Sequence, residues 1–144
     1  MRVVACLGFL AAVAGCKDQN AVPWSNVYFP PSGVSYKNQV QPLFNDACAT
    51  SGCHDHAGAR DTTSRRPELT SYSSVISYVS KFYQNEALIS CKPDHSEGYP
   101  DKSLLIHVVT GWTGYQRMPP YGSMLNDNQQ FGLETWISEG AKNN

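Results

Sequence analysis

The side chains best suited to chemistry crowd into one stretch, DACATSGCHDHAG, at residues 46–58. Cys48 and Cys53 have four residues between them, His54 follows the second cysteine directly, and His56 lies two positions further on. Three chemistries use such residues. Thiolates and imidazoles bind zinc, but structural zinc sites usually draw ligand pairs from two separated segments, and Cys48, Cys53, His54 and His56 all fall within nine residues. Two cysteines of an exported chain can close a disulfide, which leaves His54 without a role. Two thiols can also add to the vinyl groups of a haem while the next histidine binds its iron, for which the usual spacing is Cys-x-x-Cys-His. The adjacency of Cys53 and His54 suits that third chemistry. Here the loop is ATSG, four residues instead of two, and Gly52 is able to take a positive φ and fold it back.

An iron held in this way needs something on its far side, and a methionine thioether is a common sixth ligand that raises the reduction potential. Met1 belongs to an N-terminal leader, so Met118 and Met124 remain. Met118 stands in QRMPPYGSML, where the residue before a proline is pushed to extended backbone and Pro119-Pro120 stiffen the loop beyond it. A methionine by itself is more often core filler. Beside a Cys-Cys-His cluster, Met118 is expected to be the axial ligand and Met124 to be core. His56, His95 and His107 are the reserve ligands, and each has a plainer reading. His56 suits an exposed loop, His95 a polar turn, and His107 a hydrogen-bonded, partly buried place among Leu105, Ile106 and Val108. Arg60, Arg65 and Arg66, with Asp61 among them, read as a solvated loop.

The cysteine count depends on the N-terminus. MRVVACLGFLAAVAGC carries one arginine and then a mostly apolar run from Val3 to Ala14, the pattern of a signal peptide over residues 1–15. Its end, Val13-Ala14-Gly15-Cys16, resembles the lipobox of bacterial lipoproteins, which implies acylation of Cys16 as the first mature residue. Residues 16–34 then form a lipidated N-terminus and tether, proline-punctuated at VPWSNVYFPPS, of which Trp24, Tyr28 and Phe29 are apolar enough for part to dock. Export leaves Cys48, Cys53 and Cys91, an odd number, so a disulfide framework leaves one thiol over.

These residues must be positioned by a chain of 144 residues, enough for one domain. Net charge is −1 with 16% charged residues, which gives no basic stripe for nucleic acid. Eleven glycines and nine prolines are spread along the chain, so long loops and short helices are expected. A helix opening at Ser35 places Tyr36, Val40, Phe44 and Ala47 at helical spacing with Leu43 beside them, and Pro42 either kinks it or marks its first turn. A second begins at Thr70 with Tyr72, Val75, Ile76 and Val79 on one face. A third has Asp101 as N-cap and stops at Gly111. The last begins at Asn126 with Gln129 completing a capping box, carries Leu133, Trp136 and Ile137, and ends at Gly140. Strand signals are weak and confined to the stretch from Tyr83 to Ile89. The expected fold class is mostly α.

In order, VQPLF, CATSGCHD, ELTSYSSV, DKSLL, RMPPYG and LNDNQQFGLETWISEGA resemble the small class I-type cytochrome c domains of bacterial exported proteins. The resemblance covers about residues 35–142, within an expected cytochrome c domain of residues 35–144. It implies one covalent haem c held by Cys48 and Cys53, with His54 as proximal and Met118 as distal iron ligand. It also implies first and last helices packed together, Trp136 in the core near the haem, and Trp112 on the methionine side. Two departures stand out: the four-residue attachment loop, and Gln130, with Phe131 beside it, where the family has an apolar residue. The function implied is one-electron transfer between redox partner proteins, without bond-making catalysis. The chain would be tethered by lipid on the periplasmic side of a membrane or at the cell surface. The alternatives are a haem-based sensor or peroxidase-like enzyme with a displaceable methionine, and a non-haem metal-binding lipoprotein.

Overall fold

The structure is a computed structural model and describes residues 25–56, 66–120 and 124–144. The signal segment, Cys16, Trp24, Arg60, Asp61 and Arg65 lie outside the described residues. Among those described the fold is small and mostly helical, with four α-helices and one two-stranded sheet. None of these helices is long and apolar enough to cross a membrane.

Ser35 opens the first helical segment, its side chain accepting the Asn38 amide. The chain makes a π-helical turn over Tyr36–Val40 and continues as α1, Gln41–Ala47, with Pro42 in the first turn of α1. Pro42 thus stands in the first turn of α1 but not at the start of the helical stretch, at the join where the π-helical turn passes into α-helix. α2, Tyr72–Ser77, is capped by Ser71, whose hydroxyl accepts the Ser74 amide. Val79, expected on the face of that helix, instead enters strand β1, Val79–Ser80, which pairs antiparallel with β2, Glu86–Ala87. β1 lies ahead of the stretch where strand signals were expected.

The third helix corrects another expectation. Asp101 is not its N-cap but sits inside a separate 3-10 turn, Pro100–Lys102, and α3 runs Leu104–Thr110. The break has a cause. Ser103 is fully buried and held extended, its hydroxyl donating to the Tyr99 carbonyl and accepting the Ser90 amide, so it separates the two turns. Gly111 ends α3 at φ 73°, as its type requires. α4, Asp127–Ser138, has the expected reciprocal capping box between Asn126 and Gln129, and Gly140 follows at φ 98°.

The core gathers Leu43 and Phe44 of α1, Val75 of α2, Leu105 and Val109 of α3, and Leu133 and Trp136 of α4. α3 packs against α4. The first helical segment reaches α4 through Tyr36, whose ring lies 5.6 Å from that of Trp136, and Tyr72 meets Tyr36 edge-on at 5.1 Å. The packed body extends back beyond Ser35. Phe29 is buried, and Asn128 clamps it by accepting its N–H at 2.9 Å and donating to its carbonyl at 3.0 Å. The Glu139 carboxylate accepts the Gly33 and Val34 amides in the same way. Gln129, rather than Gln130, is the glutamine completely enclosed in α4. Gln130 is half-buried and donates to the Leu125 carbonyl at 2.7 Å, while Phe131 is exposed.

Candidate functional site

α1 delivers the cysteine cluster. Behind Ala47, the Cys48 and Ala49 amides both donate to the Phe44 carbonyl, at 2.9 and 2.7 Å, and the helix stops. The chain then doubles back. The Cys53 amide donates to Thr50 O at 2.9 Å, and the His54 amide donates to Cys48 O at 3.2 Å. Gly52 sits at φ 79°, the left-handed conformation expected of it. Arg66, expected merely to be solvated, donates from Nη1 to Gly52 O at 2.8 Å and braces the loop from its exposed side.

His54 is fixed at two levels. Its carbonyl accepts the Leu69 amide at 2.9 Å, and its ring Nδ1 lies 2.9 Å from the Pro67 carbonyl. A carbonyl only accepts, so Nδ1 carries the proton and Nε2 keeps its lone pair. Burial holds the imidazole below its ordinary value, against the pull of the Pro67 carbonyl, and the Arg66 guanidinium lowers it further. The ring is therefore neutral and oriented, the state in which a histidine ligates a metal.

The two thiols differ. Cys48 is half-buried against the hydrophobic core, and burial, with the neighbouring Cys53, pushes its thiol up to about 12. Cys53 is exposed. Cys48, Cys53 and Cys91 are all free thiols. Cys91 stands apart, its Sγ 3.7 Å from Nδ1 of His95, which also contacts the Gly140 carbonyl at 2.7 Å.

Met118 comes from another element. The strap after α3 is tied back by the Met118 amide, which donates to Val108 O at 2.8 Å; the bond to Pro119 is cis, and the residue is half-buried. Met124, expected in the core, is also only half-buried. The structure thus brings Cys48, Cys53 and His54 into one turn behind α1 and holds Met118 on a separate strap behind α3. Among the reserve ligands, His56 is exposed beside Glu68 and His95 lies in a turn at φ 54°. His107 is buried and bonded through Nε2 to Asp101 O at 2.9 Å, as its plainer reading required.

Among the described residues no three His, Cys, Asp or Glu side chains are grouped as they would be around a metal ion, Cys48, Cys53, His54 and His56 included. Sequence reasoning missed the Pro67 carbonyl as partner of His54, since a backbone group thirteen residues away leaves no signature in side-chain types. It also missed the set of rings around His107. Trp112, half exposed, stacks on that imidazole at 4.3 Å. Compared with protein-family models, curated proteins and solved structures, the chain has no match in any of the three.

Proposed function

We propose that the protein is a monohaem c-type cytochrome, a one-electron carrier anchored to a bacterial membrane by acylated Cys16. The observation that carries this reading is the hydrogen bond from His54 Nδ1–H to the Pro67 carbonyl. Histidines that ligate metals characteristically donate their other ring N–H to such a group, which fixes the tautomer and raises ligand basicity. Two free thiols in the same turn, one of them adjacent in sequence to this imidazole, are the donor set that covalent haem attachment uses.

In this reading Cys48 and Cys53 would form the thioethers, and His54, through Nε2, and Met118 would hold the iron. The bound group supplies an iron that alternates between ferric and ferrous states. The chain's own tasks are to keep His54 neutral and aimed and to hold Met118 on its strap. Ser25 is buried, and eight residues, 17–24, lie between it and Cys16 in the sequence. That span reaches at most roughly 30 Å when extended, which keeps the body close to the lipid surface.

The test is intact-mass measurement with an optical spectrum, on protein produced alongside the cytochrome c maturation machinery. The expected result is one haem, two thioethers, an N-terminal lipid and a low-spin c-type spectrum. A high-spin spectrum supports the sensor or peroxidase-like reading, and absence of a Soret band refutes haem binding altogether.

A further inference from the structure

Five rings form a continuous file built on residues other than Cys48, Cys53, His54 and Met118. Phe82 meets Tyr83 edge-on at 4.7 Å, Tyr83 lies 5.0 Å from Tyr115, Tyr115 lies 4.7 Å from His107, and His107 stacks on Trp112 at 4.3 Å. The two ends, Phe82 and Trp112, are exposed. Three elements assemble the file. The turn between β1 and β2 supplies Phe82 and Tyr83, α3 supplies His107, and the chain past Gly111 folds back to supply Trp112 and Tyr115. That return is held by the Trp112 amide on His107 O at 2.9 Å and the Gln116 amide on the Tyr83 hydroxyl at 3.0 Å.

The middle of the file contains proton acceptors without donors. Tyr115 donates its hydroxyl proton to Glu86 Oε1 at 2.9 Å, and that oxygen lies 3.4 Å from His107 Nδ1. His107 is only 4% exposed. Its Nε2 is committed to the Asp101 carbonyl, while among the described residues Nδ1 and Glu86 Oε2 are both buried without a hydrogen-bond partner. Orphaned buried acceptors are costly, so folded proteins keep few of them. Here they line up behind a phenol. By contrast, Tyr36 donates to Gln41 Oε1 and Tyr72 to the Ala141 carbonyl, amide oxygens that do not take up a proton.

We infer that Tyr115 is a redox-active tyrosine, oxidised by an outer-sphere one-electron oxidant with Glu86 and His107 receiving its proton. The Tyr115 O–H bond breaks as its electron reduces the oxidant by one. The proton crosses the existing hydrogen bond to Glu86 Oε1 and is shared with His107 Nδ1, leaving a neutral phenoxyl. The ring contacts place two further oxidisable rings near the hole, Tyr83 at 5.0 Å from Tyr115 and Trp112 across the His107 imidazole. The Glu86 carboxylate also raises the Tyr115 phenol above its ordinary value, so the proton stays in place until an electron leaves. None of this requires the proposed haem.

The experiment uses the purified full chain, any haem held ferric, with photogenerated tris(bipyridine)ruthenium(III) as oxidant. Radicals are followed by freeze-quench electron paramagnetic resonance and oxidised residues by peptide mapping. The expected result is a tyrosyl radical lost in Tyr115→Phe and formed on the order of a hundredfold more slowly in Glu86→Gln, the scale of a positioned proton acceptor. In the wild-type protein, oxidation should fall on Tyr115 and its ring neighbours rather than on Tyr28, which is 72% exposed. Mapping of the wild type decides the question even where a variant fails to fold. Oxidation concentrated on Tyr28, or a wild-type rate in folded Glu86→Gln, overturns the inference.

Discussion

Gly132→Ala should destabilise the protein although it places a better helix former inside α4. A Cβ at this position would lie 2.1 Å from Phe29 Cγ, 2.3 Å from Cδ1 and 2.4 Å from Cβ. Carbon atoms need about 3.5–4.0 Å, so the ring would have to retreat by more than about 1 Å. It has little freedom to do so, because Phe29 is 1% exposed and Asn128 holds its backbone from both sides. The helix gains about 1 kcal/mol from replacing glycine by alanine. Expelling Phe29 loses roughly 2–3 kcal/mol of apolar burial and about 1 kcal/mol for each Asn128 bond that breaks. The net loss is about 2–4 kcal/mol, read as a lower urea midpoint followed by circular dichroism. Phe29→Ala alone should cost about 3–5 kcal/mol. The double variant should cost less than the sum, since the new methyl then occupies space the ring has left. A Gly132→Ala protein as stable as the wild type, or strictly additive variants, would refute the docking of the N-terminal segment on α4.

Met118→Ala should open the sixth position, turn the spectrum high-spin, abolish the weak red absorption of iron–sulfur bonding and lower the potential, while Met124→Ala leaves all of these unchanged. Loss of Cys53 should prevent a stable holo-protein, whereas loss of Cys48 should leave a singly attached haem with a red-shifted pyridine haemochrome; one thioether plus a Cys48–Cys91 disulfide in the mass spectrum would show that the loop is not an attachment loop. Cys16→Ala should move the protein from the membrane to the soluble fraction without altering its absorbance. Gly52→Ala meets no atom within 4 Å, so only its φ of 79° opposes the change, and a loss of about 1–2 kcal/mol in urea is expected. A neutral result there would mean the loop does not hold that conformation.

Helix positions were legible wherever one residue type had one physical reason to be there. Ser35, Gly111 and the Asn126–Gln129 box each satisfy backbone groups that a helix end leaves open, and each stands where its type indicated. Asp101 was misleading because a local signal was overridden from a distance. Ser90, on another segment, captures the Ser103 hydroxyl and splits the helix from its preceding turn. Val79 was misleading for a related reason, since helical spacing and a short strand both admit an apolar residue there. At the site, the thiols and His54 could be named from their types. The carbonyl that orients His54 could not, because every residue has one. The ring file around His107 was hidden in the same way, assembled from residues 82 to 115 that share no spacing.

The four-residue loop looked like the main obstacle to double attachment, and its folded form weakens that objection. Haem attachment constrains where the two sulfurs stand relative to the imidazole, and the number of residues between them matters only through that placement. The His54 amide bonds back to the Cys48 carbonyl, so the two ends of the loop meet directly. Thr50 O closes a smaller turn inside it on the Cys53 amide, and the additional length bulges outward at Ser51 and Gly52, both exposed. Arg66 then ties that bulge to the segment carrying Pro67, whose carbonyl holds the imidazole. Loop and imidazole are therefore braced by consecutive residues. The four-residue loop thus starts and finishes at neighbouring backbone groups, and the same two-residue support at 66 and 67 serves both the loop and the ring.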